Sequence, residues 1–316
     1  MKYESFDKDK FHVVTMISNP ARFSRRYHLY HKFAEYIHKF TPNLWTVELQ
    51  LGDRPFVTDS SDPKNIQLRF WTELWHKENA LNIGISRLPD DWETCAILDA
   101  DIQFIGEHEH DWITEILHEL QVYQVIQPWQ TAIDMGPHGH AINIHKSFMS
   151  CYLKNHAIHP ETNYSEFHPG FAWAFRREAI DGMGGLFDVG IVGSGDRTMA
   201  LSFVGKGELT PHPKCSAGYK RSIKLFQDKC EVTIHRDVGC MNGSLIHFWH
   251  GPKAKRFYYD RWQILVKSQF DPYTDLRKNS YGIWDLHMDG SRRMQRLRDE
   301  LREYARMREE DSTSFD

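Results

Sequence analysis

Residues 95–104 read Cys95-Ala96-Ile97-Leu98-Asp99-Ala100-Asp101-Ile102-Gln103-Phe104. An apolar run stops at two carboxylates spaced i, i+2, and an apolar segment resumes behind them. As a strand, residues 96–98 would be buried on both faces, as in a parallel sheet. Asp99 and Asp101 would then stand at its carboxyl end, where open α/β sheets bind ligands. Two hard oxygen donors at that point suit Mg²⁺ or Mn²⁺ carrying a diphosphate. Taken alone, the pair is equally a helix cap.

The flanking segments support the parallel-sheet reading. Residues 11–17 form a β-rich apolar run ended by Ser18-Asn19-Pro20. Residues 24–40 carry Tyr27, Tyr30, Phe33 and Ile37 at helical spacing, and residues 44–51 alternate as a second strand. The spacing of Leu68, Trp71 and Leu74 predicts helix over most of 67–85. Asp111 is placed to cap a helix over 112–120, and residues 122–127 read as another strand. This alternation predicts an α/β fold: a doubly wound, mostly parallel sheet flanked by helices. Residues 130–145 read as a loop, 171–175 as a short strand, and the glycine-rich 182–195 as a loop opening a helix at 194–203. A last core strand is expected at 244–249, a basic aromatic helix at 254–268 and a charged helix at 294–307. The division expected is one domain over 1–268, with halves at about 1–128 and 129–268, followed by a helical extension over 269–316.

Composition narrows the function classes. The chain has 316 residues, 41% of them hydrophobic, and a formal net charge of −4, so no global basic field announces nucleic acid. Five scattered cysteines without C-x-x-C pairing fit a reducing compartment. The first residues lack the apolar core of a signal peptide, and no apolar run approaches the ~20 residues of a membrane span; a cytoplasmic protein is expected. There is no G-x-G-x-x-G after the first strand and no G-x-x-x-x-G-K-[ST], against a dinucleotide oxidoreductase and a P-loop enzyme.

Two further segments bear chemistry. His247-Phe248-Trp249-His250-Gly251-Pro252-Lys253-Ala254-Lys255 sets two histidines at a strand end before glycine and cations. Either imidazole could complete a metal site with the aspartates, and Lys253 or Lys255 could neutralise a leaving diphosphate. The alternative is a satisfied core histidine and a solvated cationic face. In Gly193-Ser194-Gly195-Asp196, the aspartate opens a helix, as a general base near an acceptor hydroxyl or as an ordinary cap. Trp173 and Trp249 could stack on a sugar or base, although a tryptophan in an apolar strand is usually core.

Together these segments resemble a GT-A nucleotide-sugar glycosyltransferase. Asn79-Ala80-Leu81-Asn82-Ile83-Gly84-Ile85 leading to Leu98-Asp99-Ala100-Asp101 is similar to the β-1,4-galactosyltransferase pattern. Residues 184–188 and 195–196 are similar to the glycine-rich acceptor loop of that group, with Gly193-Ser194-Gly195-Asp196 standing where Trp-Gly-Gly-Glu is usual. His247 to Lys255 is similar to the late His-x-x-Gly-Pro-x-Lys stretch of glycogenin-like transferases, with one extra residue before Gly251. The resemblance implies a UDP-sugar or related donor, Mn²⁺ or Mg²⁺ on Asp99, Asp101 and His247, and His250 with Lys253 or Lys255 on the diphosphate. It implies Asp196 as base in an inverting transfer, with a retaining mechanism open, and Trp173, Gly195 and Trp249 on the acceptor side. Asn19 and Arg22, or Arg25 and Arg26, occupy the expected nucleotide position, with Glu48, Asp53 and Arg54 nearby. Basic residues after Gly251 leave open a DNA acceptor, such as a hydroxymethylated pyrimidine in phage DNA, beside a glycan, protein or small-molecule acceptor. The rival readings are a sugar nucleotidyltransferase and a non-catalytic carbohydrate- or DNA-binding protein.

Overall fold

The computed structural model describes residues 6–107, 109–155 and 167–314. In chain order the elements that position the site are β1 (Phe11–Ser18), α1 (Ser24–Ile37), β2 (Leu44–Leu51), β3 (Asn65–Phe70), α2 (Lys77–Ile85), β4 (Thr94–Leu98), β5 (Ile102–Ile105), α3 (Trp112–Leu120) and β6 (Val125–Gln127). There follow β7 (Thr131–Met135), β8 (Ala141–Lys146), α4 (Phe148–Asn155), β9 (Ala172–Arg176), α5 (Arg177–Met183), α6 (Gly195–Phe203), α7 (Ala217–Ile234), β10 (Val238–Cys240) and β11 (Ser244–His247). The chain closes with α8 (Trp262–Ser268), α9 (Pro272–Asp275), β12 (Leu276–Lys278), β13 (Trp284–Leu286) and α10 (Arg292–Arg306).

Seven strands form the main sheet in the order β10-β6-β9-β4-β1-β2-β3. β9 runs antiparallel to both neighbours, and the other pairings are parallel. This is the mostly parallel, helix-flanked α/β sheet expected, consistent with a GT-A-like Rossmann arrangement. Successive strand residues point to opposite faces, and the two cores follow that rule. Val14, Cys95, Ile97, Trp173 and Phe175 face the core under α2, α5, α6 and α7. Phe11, Val13, Ala96, Leu98, Ala172 and Ala174 face the core under α1 and α3. With both faces covered, β4 is buried at every residue, which is why its sequence shows no alternation.

A second, four-stranded sheet in the order β5-β11-β7-β8 stands at the end of β4. The chain leaves the main sheet at Leu98 and enters the small one at Ile102, so Asp99 and Asp101 lie in the crossing. Backbone bonds fix both: Asp99 N–H donates to Phe171 O at 2.8 Å, and Phe248 N–H donates to Asp101 O at 2.8 Å.

Four expected elements differ. Residues 65–70 are strand, not helix: Leu68 and Phe70 are buried with a period of two on the sheet edge, and helix begins only at Lys77. Residues 130–145 are not a loop but mostly the hairpin β7–β8, turned at 136–140 with Gly139 at φ +78°. The strand at 244–249 is confined to 244–247 and belongs to the small sheet. The helix expected at 254–268 is broken: a 3₁₀ turn, Lys253–Arg256, ends at Phe257 with φ +47°, and helix resumes at Trp262.

The carboxyl-terminal residues return to the sheet. Met294, Leu297, Leu301 and Tyr304 make the buried stripe of α10. Beyond it, Asp311 accepts from Ser24 and Arg25 N–H at 2.8 and 2.7 Å, capping α1, and Ser312 O accepts from Trp249 Nε1 at 2.7 Å. Glu310, 1% exposed, is bound by Arg26 and by Arg308 Nε at 2.8 Å. No helix among the described residues is long and apolar enough to cross a membrane.

Burial opposes ionisation of Glu310, but Arg26 and Arg308 outweigh it and hold the carboxyl at about 2, below its ordinary 4.5. A depressed carboxyl contributes stability above its unfolded value and loses it as pH falls through the folded one. Glu310→Gln should therefore destabilise the protein at pH 7 by about 3 kcal/mol. Thermal unfolding should show that gap closing between pH 4.5 and 2. A gap independent of pH would contradict the ion-pair account.

Candidate active site

A cleft of about 390 Å³ opens at the carboxyl ends of β1 and β4, between the two sheets. Asp99, Asp101, Asp196, His247, His250 and Lys253 all line it. The register of β11 explains how residues so far apart in sequence meet: His247 pairs with Ile102 of β5 and with Asp134 of β7.

Asp134 anchors one wall and was not foreseen. Its Oδ1 lies 2.8 Å from His247 Nδ1, and its Oδ2 lies 2.7 Å from His145 Nε2 and also meets Lys253 Nζ. Burial disfavours its charge, but His145, His247 and Lys253 outweigh burial and hold the carboxyl far below the usual carboxylate range. An ionised acceptor at Oδ1 places a proton on His247 Nδ1, which leaves Nε2 as the ring nitrogen turned inward.

That nitrogen faces two further side chains. His247 Nε2 is 3.1 Å from His250 Nε2 and 3.8 Å from Asp101 Oδ1, and His250 Nε2 is 3.3 Å from Asp101 Oδ2. Arg256 Nη2 lies 3.1 Å from the same His250 nitrogen, which therefore acts as an acceptor. Burial, then Arg256 and His247, push His250 well below 6.5, so it is neutral at pH 7. Asp101 is raised by burial despite His247, and its buried Oδ1 has no hydrogen-bond partner.

These are the marks of a cation site. One ligand atom from each of the three side chains can be chosen so that all lie within 4.8 Å of one another. Two ligands at about 2.1 Å and at right angles around one ion stand roughly 3 Å apart, close to the imidazole spacing found. A set of one carboxylate and two imidazoles suits Mn²⁺ better than Mg²⁺.

The arrangement revises several expectations. Asp99, expected as a ligand, is ion-paired with Lys77 at the start of α2; the converging trio is Asp101, His247 and His250. His250, expected on the diphosphate, is thus in the trio together with His247. Lys253 lines the cleft but is held by Asp134 and His145. Lys255 pairs with Glu309 at 3.2 Å instead of lining the cleft. Arg22 is not among the described lining residues, whereas Arg26 is. Asn19 lines the cleft, but its amide clamps the backbone of Phe23, accepting at 2.9 Å and donating at 2.6 Å. Glu48 serves the loop after β2, accepting from Val57 and Thr58 N–H. Trp173 is core, 2% exposed with Nε1 donating to Pro169 O, and Trp249 is turned to the carboxyl-terminal segment. Neither lines the cleft. Gly195 is buried against Glu78, and Asp196 opens α6 into the cleft.

The cleft has two electrostatic halves joined at Asp99. Asp101 senses His247, Asp99, Arg26 and Arg256. Glu78, 2% exposed, senses Lys77, Asp196 and Asp99.

The chain matches no protein-family profile and no curated protein. Among solved structures, the catalytic domain of Drosophila β1,4-galactosyltransferase 7, in complex with xylobiose, aligns with 14% identity and a TM-score of 0.32. The match spans 60% of this chain and 59% of that one. So low a similarity adds nothing to what the sheet order and the cleft establish.

If the trio is the ligand set, Mn²⁺ should raise the thermal midpoint of the wild type. Asp101→Asn, His247→Ala and His250→Ala should each abolish that rise, while Asp99→Asn retains most of it. Loss in the Asp99, Asp101 and His247 variants, with the rise retained in His250→Ala, would restore the ligand set expected from sequence.

Proposed function

We propose that the protein is a glycosyltransferase that moves a sugar from a nucleoside-diphosphate sugar to an acceptor hydroxyl, with a divalent ion on Asp101, His247 and His250. One observation carries this reading: a single cleft at the strand ends joins that trio, with Arg26 and Arg256 beside it, to Asp196 at the start of α6. A cationic half suits a diphosphate, and a carboxylate half suits hydroxyl chemistry.

A divalent ion bound by the trio would neutralise negative charge on the departing diphosphate. Arg256 and Arg26 add fixed positive charge on the same side. Lys77 holds Asp99 in place between the halves. Asp196 takes the proton of the acceptor hydroxyl as its oxygen bonds to the anomeric carbon. The bond from that carbon to the diphosphate breaks, and its electron pair leaves with the diphosphate oxygen. Attack from the face opposite the leaving group inverts the anomeric centre.

Features of the cleft favour this reading over the rivals. The turn after β1 is closed by Asn19 on Phe23, unlike the open glycine-rich phosphate loop of a nucleotidyltransferase. For the acceptor, Arg293, Arg296, Arg298 and Arg302 of α10 are each paired with a carboxylate. That pairing weakens the case for a phosphate backbone along this helix and favours a sugar or small-molecule acceptor over DNA.

The test is a panel of nucleotide-sugars incubated with Mn²⁺, with and without chelator, scored by nucleoside diphosphate release and by product anomer. One donor should be turned over in a chelator-sensitive way, and the product should be inverted. Asp196→Asn should lower kcat by roughly 10²- to 10⁴-fold with little change in donor KM. Release of pyrophosphate would indicate a nucleotidyltransferase, and binding without turnover would indicate a carbohydrate-binding protein.

A further inference from the structure

Glu78 has no place in the scheme above, yet it is a buried carboxyl at the cleft. It stands in the first turn of α2, lines the cleft and is 2% exposed. Among the described residues its carboxyl is supported by a backbone hydrogen bond within Glu78 itself and by no side-chain donor. Its surroundings are accounted for element by element. Lys77, on the same helix, is committed to Asp99. Asp196 comes from α6, Asp99 from the end of β4, and Tyr219 from α7.

Gly195 makes the point a second way. A Cβ at this position would run into the Glu78 carboxyl. Residue 195 immediately precedes Asp196, and its backbone lies in the helical region, where any residue is tolerated. The close approach is set by the space the Glu78 carboxyl occupies and not by the local conformation, so a larger residue here would displace that carboxyl. The first turn of α6 is shaped to admit a second carboxyl beside Asp196.

We propose that Glu78 is a specificity-determining residue of the acceptor subsite, its carboxylic acid donating a hydrogen bond to an oxygen of a hydroxyl-bearing acceptor held against Asp196. The assignment rests on the glycosyltransferase reading. It divides the work of two neighbouring carboxyls: Asp196, at the start of α6, is the anion that takes a proton, and Glu78, desolvated, is the acid that offers one in a hydrogen bond without giving it up. Burial, reinforced by Asp196 and Asp99 against Lys77, lifts the Glu78 carboxyl to about 8, so the acid form prevails at neutral pH. Above that pH Glu78 loses the proton it donates, and a second negative charge appears beside Asp196. Carboxyls with environments that set their protonation apart are a recurring basis for divided roles.

The experiment compares wild type, Glu78→Gln and Glu78→Ala with the donor turned over best by the wild type and its acceptor, from pH 6 to 9.5. Glu78→Gln keeps an uncharged hydrogen-bond donor. It should lose at most a few-fold in kcat/KM for acceptor and should lack the alkaline limb near pH 8 seen in the wild type. Glu78→Ala should raise acceptor KM roughly tenfold or more, with donor KM and Mn²⁺ binding unchanged. Thermal unfolding supplies a substrate-free readout. A raised carboxyl contributes stability that is lost as pH rises towards its folded value, so wild type should lose stability relative to Glu78→Gln between about pH 4.5 and 8. An alkaline limb that persists in Glu78→Gln, or acceptor kinetics indifferent to Glu78→Ala, would overturn this assignment alone. A wild type that turns over no donor would overturn the glycosyltransferase reading and the assignment with it.

Discussion

The site depends on the register of one four-residue strand. β11 lies between β5 and β7 and sets His247 beside Ile102 on one side and Asp134 on the other. A slip of one residue would turn His247 to the opposite face of the small sheet, away from Asp134 and Asp101. The bond from Phe248 N–H to Asp101 O continues the same alignment past the end of the strand. Gly251, at φ +87°, then turns the chain against the backbone of residues 308–310. The carboxyl-terminal segment thus braces the histidine loop from behind while Glu310 holds Arg26 at the cleft.

From this alignment follows the charge distribution. Asp134 is buried yet ionised because three donors converge on it, and its charge fixes the tautomer of His247. With Nδ1 committed to Asp134, the inward nitrogen is left to face His250 Nε2 and the Asp101 carboxylate. Groups so placed are held together by a positive charge among them, a proton or a metal ion. The arrangement a divalent ion would use is therefore shaped by a residue outside the proposed ligand set, and the same residue holds Lys253.

Much of the architecture was legible because local pattern and burial agree. Residues 11–18, 44–51 and 94–98 are rich in β-branched and apolar side chains, and α1 and α3 repeat them at helical spacing. The failures have particular causes. Leu68, Trp71 and Leu74 stand three apart by coincidence: Leu68 belongs to an edge strand, and Trp71 is exposed. The hairpin β7–β8 hides because β8 is mostly exposed and the turn between its strands is rich in Gly, Pro and His. With the hairpin missed, Asp134 and His145 were missed too. α7 did carry a signal, a Ser216 cap followed by Tyr219, Ile223, Phe226, Cys230 and Ile234 at helical spacing. At the site, the aspartates, the histidine pair and Asp196 could be read from their positions at element ends. Which of them converge is a matter of tertiary pairing, and Glu78 in sequence is indistinguishable from an acidic residue favoured by a helix amino terminus.

The central claim is that two imidazoles and one carboxylate meet at a single cation. Pulsed electron paramagnetic resonance of the Mn²⁺-loaded protein reads the ligand nitrogens directly. The account predicts modulation from two histidine nitrogens, reduced to one in His247→Ala and in His250→Ala. A spectrum of oxygen ligands alone, unchanged by either substitution, would contradict it.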